Sequence, residues 1–490
     1  MKNTHIYILI LVLASSIGLS SCKKYLDINS NPNRAERVEP KLLFSFAAVS
    51  FANLRSGGDL NIPFALVGQS MATGGNNPTG WGIPSEEQYV ISSFSTGNSW
   101  RAYYTTIGSN LKEAIKLAES SSPINNNAAA QSKILLAMSA FETTTVFGDV
   151  PFSEAWNTNI AYPKFDTQKQ VMEGCIALLD EALAQFDTSS PLKIGMENDE
   201  AYDLFYRGDL DKWKRLANSV KLRILLTMVD KDPTKAAAIG TLMTAHDFIG
   251  SASDNCLIAY QDVSGKKNPK YLISEQYNNN VPFFFGSNKI VDFMNTLGDP
   301  RRPKFFDKPA AATNYVGIAS GQTAANAVNV RISTSLQTAI EPEVFFSYQE
   351  QLFYEAEIYA RGIGVATNLA TAEGLYRQGV VESCKFYGVS TDDADDFGES
   401  LPALAAGTAG VKTIQMHNWV DKMDRGIDAF TQWRRSGSEG NETPVLTLPT
   451  GAPAGPLFRR YEYPITNEIS TNPNAPKNKI VFTEKMWFDL

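Results

Sequence analysis

The chain has 490 residues, 43% of them hydrophobic and 20% charged, with a formal net charge of −8. Such an apolar share can bury a sizeable core. The acid excess argues against a duplex nucleic-acid binder, which needs a basic face to displace phosphate counterions, and against attachment to anionic lipid through a polybasic patch. Four cysteines in so long a chain do not make a disulfide scaffold.

Residues 1–21 carry Lys2, an apolar run over 6–14 too short to span a bilayer, small residues, and then Leu19-Ser20-Ser21-Cys22. This is the pattern of a secretory signal peptide. The tetrapeptide resembles a bacterial lipobox, which implies cleavage before Cys22 and acylation of its thiol. The competing reading is a plain signal peptide with an incidental cysteine. Several acyl chains on one cysteine would anchor the protein stably, where a single chain holds only marginally. With Cys22 acylated, Cys175, Cys256 and Cys384 remain, an odd number that cannot all pair internally. Cys175 and Cys384 fall within apolar helical patterns and read as buried thiols. Residues 22–40 are polar with Asn-Pro steps, and read as a tether leading to the first helix.

Apolar positions then recur at steps of three and four. Over 100–119 they are Trp100, Tyr104, Ile107, Leu111, Ala114 and Ala118; over 132–147, Leu135, Met138, Phe141 and Thr145. Over 166–186 they are Val171, Cys175, Leu178, Ala182 and Phe186, with Asp166 or Thr167 as N-cap; over 211–229, Trp213, Leu216, Val220, Ile224 and Met228. Residues 345–360 and 369–387 form a further pair separated by Gly362 and Gly364, and 411–430 also has helical texture. Stripes of this width suit helices packed in antiparallel pairs. The expected fold class is mainly α, with helix pairs over about 41–250 and 343–390. Loop-rich stretches cover about 57–97, 251–336 and 395–480, and loops of that length usually carry function. One domain, 41–490, holds all of them.

At this point the residues resemble the SusD/RagB-like outer-membrane lipoproteins of Bacteroidetes-type bacteria, along nearly the whole mature chain. The resemblance rests on Cys22-Lys-Lys-Tyr-Leu-Asp-Ile-Asn-Ser-Asn-Pro-Asn33, Phe147-Gly-Asp-Val-Pro-Phe-Ser-Glu-Ala-Trp156 and Trp213-Lys-Arg-Leu-Ala-Asn-Ser-Val-Lys-Leu-Arg223. Further matches are Gly298-Asp-Pro-Arg301, Glu343-Val-Phe-Phe-Ser-Tyr348, Glu355-Ala-Glu357 and Phe430-Thr-Gln-Trp-Arg-Arg-Ser-Gly437. Arg459-Arg-Tyr-Glu-Tyr-Pro464, Asn472-Pro-Asn474 and Met486-Trp-Phe-Asp489 complete the series. The resemblance implies tetratricopeptide-like helix pairs with loops and a few short strands forming a ligand-binding face. It also implies a lipid-anchored protein of the outer membrane, facing the cell exterior and docked on a SusC-like TonB-dependent β-barrel transporter. Such a protein captures oligosaccharides, or in some members peptides, and is not an enzyme. The motifs themselves read as packing and capping devices: Gly148 supplies a positive φ, Asp149 satisfies turn N–H groups, and Arg434 and Arg435 complement a helix C-terminus.

Sugar recognition needs flat aromatic faces, with amides and carboxylates for the hydroxyls. Trp100 and Trp213 lie on helical stripes; Trp156, Trp433 and Trp487 lie in the motifs, and Trp419 in a helical run. That leaves Trp81, in Asn76-Asn-Pro-Thr-Gly-Trp-Gly-Ile-Pro84, as the stacking candidate, followed by Tyr89 and by Tyr277 beside Asn278-Asn-Asn280. The competing role for each ring is to pack its own loop down. Phe283-Phe-Phe285 reads as a short buried strand in preference to an exposed patch. No catalytic residue is nominated, since any pair among 52 acidic residues could be chosen and no G-x-S-x-G or Walker loop occurs. No cofactor is implied. CxxC and HExxH are lacking, His246 and His417 are far apart, and Asp392-Asp-Ala-Asp-Asp396 breaks the EF-hand alternation, so no metal site is expected.

Overall fold

Apolar spacing dictates the first half of the fold. The computed structural model describes residues 38–75, 86–464, 467–476 and 481–490, and the elements below all lie in one unit, Pro40–Leu490. Helix α1 (Pro40–Ser56) buries Phe44, Ala47, Ala48, Phe51 and Ala52 along one face. The short α2 (Asn61–Val67) is buried throughout and leads to β1 (Met71–Ala72). Helix α3 (Ser93–Arg101) starts at Ser92, whose hydroxyl accepts the Phe94 N–H. It runs through a π-helical stretch, Ala102–Gly108, into α4 (Ser109–Glu119). The expected helix over 100–119 is therefore longer and interrupted by a wider turn.

Helix α5 (Asn126–Phe147) is buried on every side, and ends where Gly148 takes φ +85. Helix α6 (Gln168–Gln185) begins with a capping box between Thr167 and Gln170, so Thr167 is the cap. Asp149, expected to satisfy its own turn, instead accepts the Gln168 N–H at 2.8 Å. After the hairpin β2 (Met196–Glu197) and β3 (Glu200–Ala201) come α7 (Leu210–Met228), capped by Asp209, and α8 (Ala236–Ala245). From α4 to α8 each helix packs on its neighbour in sequence, which is the expected helix-pair scaffold.

The middle of the chain is less regular. It contains β4 (Cys256–Ile258), α9 (Pro269–Tyr277), β5 (Phe285–Gly286), α10 (Asn288–Leu297), α11 (Arg302–Phe305), β6 (Phe306–Asp307), β7 (Arg331–Ile332) and β8 (Glu343–Phe346). Strands β1, β5, β7 and β6 form a small antiparallel sheet in that order, with Met71 opposite Gly286 and Phe306 opposite Ile332. Phe283, Phe284 and Phe285 are buried, as a short internal strand requires. Helices α12 (Tyr348–Arg361) and α13 (Leu369–Phe386) form the second expected pair. The acidic run 392–396 lies in α14 (Thr391–Ser400), where Asp392 and Asp393 occupy the first turn.

The run 411–430 divides into α15 (Thr408–Asp421) and α16 (Gly426–Arg434), followed much later by the single turn α17 (Asn467–Ser470). The break has an electrostatic cause. Lys422 and Arg425 turn inward to the buried Glu350 at 3.0 and 3.3 Å, joined by Arg223 at 3.0 Å. A second buried set centres on Arg55, which pairs with Glu142, with Glu343 at 2.8 Å and with Asp428 at 2.6 Å. These sets tie α1, α5, β8, α12 and α16 together. Arg434 is no surface helix cap: it is buried and donates to the Thr145 and Arg459 carbonyls, both at 2.8 Å. Arg435 pairs with Glu357 at 2.8 Å.

Candidate functional site

An open cleft of about 530 Å³ lies where α3, the π-helical stretch and the start of α4 meet the loop 151–165 and residues 469–472. Its walls carry Trp100, Tyr104, Trp156, Tyr162 and Phe165. Trp100 stacks on Phe165 with ring centres 6.2 Å apart and planes 19° apart, and Tyr104 leans on Trp100 at 4.6 Å. Tyr104 also stacks on Trp156 at 5.7 Å and 29°. The result is a continuous aromatic wall, with Tyr162 exposed at its edge.

Two of the rings are held by hydrogen bonds to backbone. The Tyr104 hydroxyl donates to the Pro151 carbonyl at 2.8 Å, and Trp156 Nε1 donates to the Tyr104 carbonyl at 2.7 Å. That carbonyl also accepts the Ser109 N–H across the π turn. Trp156 sits at φ +60, a conformation that costs a tryptophan about 1–3 kcal/mol and that the surrounding contacts must offset. Gly108 is what admits the indole: a Cβ there would lie 2.1 Å from Trp156 Cζ2. π turns inserted in α-helices are found mostly at functional positions. Asn472 Nδ2 donates to the Pro163 carbonyl and Asn474 Nδ2 to that of Tyr162, both at 2.8 Å, fastening the 469–474 segment to the loop.

The described walls of the cleft are mostly aromatic and apolar. Among the described lining residues there is no Asp, Glu, His or Cys, and Arg101 is the charged side chain. Glycoside hydrolysis by the usual route needs two carboxylates flanking the bond. A small interior hollow of about 30 Å³ beside Arg55 and Glu350 is lined by the buried charges and is too small for a sugar. Among the described residues no group of histidine, cysteine and carboxylate side chains could hold a metal ion. His417 is buried between Phe293 and Tyr376, and burial pushes its imidazole down to about 3, so it is neutral.

Of the residues nominated from sequence, the two described ones, Tyr89 and Tyr277, do not line this cleft. Trp81 and Cys22 lie outside the described residues. Tyr89 is 4% exposed at φ +69, its ring against Phe458 and Phe482 at 5.7 and 5.8 Å, so it packs into the interior against the C-terminal segment. Tyr277 is 40% exposed at the end of α9, and does not line the cleft. Sequence reasoning placed Trp100 and Trp156 in packing roles; both do pack, yet each also presents area to the cleft. The available signal was the aromatic spacing Trp100–Tyr104 on one helix turn beside a glycine at 108.

Residues 17–464 match the family model SusD-like, described as starch-binding and associating with the outer membrane. The chain therefore belongs to the SusD-like family. Among solved structures, a chitin-binding protein is 23% identical over 92% of this chain and 100% of its own, with a TM-score of 0.73. A chitin-binding SusD homologue from Flavobacterium johnsoniae is 20% identical over 92% and 99%, with a TM-score of 0.71. A SusD homologue from Parabacteroides distasonis gives 20%, 92% and 97%, with a TM-score of 0.74. At these identities the likeness establishes the fold. No curated protein matches the chain. Among the described residues no helix is long and apolar enough to cross a membrane.

Proposed function

We propose that this protein is a lipid-anchored binding protein of the outer membrane, facing the cell exterior, which captures oligosaccharides and hands them to a SusC-like TonB-dependent transporter. The observation that carries the reading is the aromatic wall of Trp100, Tyr104 and Trp156 with Tyr162 at its open edge. Aromatic faces bury the C–H face of a pyranose with little side-chain entropy to lose. The cleft is of the size ligand sites usually have. Two structural neighbours named for chitin binding support the same ligand class. The anchor is Cys22, acylated after cleavage behind Ser21, and Trp81 and Tyr277 supply further ring faces. Peptide or glycopeptide capture is the second reading, since apolar rings accept aromatic side chains equally well.

Titration of the purified protein with neutral and charged glycans and with peptides, by calorimetry, tests it. Tyr162→Ala should weaken glycan binding about tenfold, the worth of one lost ring contact of about 1.4 kcal/mol. Binding of peptides alone, or release of reducing ends from the glycans, would overturn the reading.

A further inference from the structure

The polar side of the cleft is unbalanced towards donors. Neutral sugars present hydroxyls, whose protons are commonly met by carboxylate and amide oxygens. Among the described lining residues no carboxylate is present, and the one amide is already engaged: Asn472 Nδ2 donates to Pro163 and its Oδ1 accepts the Asn474 N–H at 2.9 Å. The Thr105 hydroxyl donates to the Arg101 carbonyl at 2.6 Å, and that of Ser109 to the Thr105 carbonyl.

Arg101 supplies the opposite chemistry. It is exposed on the cleft wall, at the last position of α3, one residue after Trp100 and three before Tyr104. Its guanidinium makes no hydrogen bond or ion pair with any described residue, although the chain carries 52 acidic side chains. A guanidinium offers five N–H donors in a rigid fork that matches an oxyanion bidentately and cannot give up its charge. In a chain of net charge −8, described walls that carry an arginine without a described partner and no carboxylate are a local reversal of sign.

Resting on the reading of the cleft as a glycan site, we infer that its preferred ligand is an acidic oligosaccharide, whose oxyanion is received by Arg101 while its rings lie on the aromatic wall. The oxyanion is the carboxylate of a uronic acid or a sulfate ester; both have the oxygen geometry the fork accepts.

The full-length protein and Arg101→Gln are titrated with oligogalacturonates, sulfated galactan oligosaccharides, and neutral chito- and malto-oligosaccharides of equal length. The native protein should bind one or both acidic series more tightly than the neutral ones, with affinity falling between 50 and 500 mM salt, roughly as expected of a screened contact. Arg101→Gln should lose about tenfold for the acidic series, the low end for a charge-assisted hydrogen bond, and clearly less for the neutral series, so that the acidic preference collapses. Preference for only the carboxylated or only the sulfated series supports the inference and fixes the source. Neutral glycans binding as tightly as acidic ones, or acidic binding indifferent to Arg101→Gln, overturns it. Either result leaves the cleft reading standing as long as Tyr162→Ala still weakens binding. If Tyr162→Ala changes nothing for any glycan, the cleft reading itself fails.

Discussion

Gly108 and Trp156 show how a single missing atom shapes a surface. The indole lies directly on the π turn because no Cβ stands there, and Trp156 in turn supports Tyr104. Gly108→Ala should push the indole away and break the aromatic wall. Glycan affinity should fall about tenfold, with a stability loss of about 1–3 kcal/mol from overpacking. Calorimetry and denaturant titration followed by tryptophan fluorescence would show both; unchanged affinity would place Trp156 outside the binding surface. At this scale the sequence was partly legible. Gly148 takes the positive φ its motif suggested, but Tyr89 is buried by rings from residues 458 and 482, far along the chain. No local pattern reports such a partner. The motif around Trp156 reads as structural from sequence, and its ring both packs on Tyr104 and lines the cleft.

Among the elements, helices with a periodic apolar stripe were readable, and those whose form depends on distant charges were not. Helices α5, α6, α7, α12 and α13 sit where the stripes put them. The break between α15 and α16 exists because Lys422 and Arg425 reach Glu350 on α12. The first half of helix α3 is Ser-Phe-Ser-Thr-Gly, mostly poor helix formers that read as loop. Two-residue strands such as β1 and β7 have no period to detect. The buried charges that join these elements make stability depend on pH in both directions. Burial pushes the Glu357 carboxyl up, but the Arg435 and Arg361 guanidiniums outweigh it and hold it at about 2. Its contribution is present above the unfolded value of 4.5 and is lost as pH falls from there towards 2. Burial raises Glu86 and Glu341 to about 8, so their neutral forms favour folding and that contribution is lost as pH rises from 4.5 through 8. Thermal unfolding across pH 3 to 9 should therefore show a maximum near pH 5, about the unfolded carboxylate value. A Tm that rises steadily towards pH 8 would contradict these assignments.

For the whole molecule, the family was the most legible property, because its motifs are spread along the chain and their order survives where local structure is ambiguous. The match over residues 17–464 and the shared fold bear this out. Anchoring is the property that remains to be measured. Cys22→Ala should move the protein from the membrane fraction to the soluble one in cells that process lipoproteins; unchanged fractionation without a partner would count against acylation. The three interior cysteines have a separate use. Cys175 lies on α6, Cys256 on β4 and Cys384 on α13; all are fully buried, and burial raises every one of these thiols, that of Cys384 to about 12. A thiol so placed reacts with an alkylating reagent only after its surroundings open. The native chain thus carries three internal clocks, one among the early helix pairs, one in a strand and one in the later helix pair. Mass-spectrometric timing of their alkylation would tell whether these regions open together or one after another, without adding a single probe.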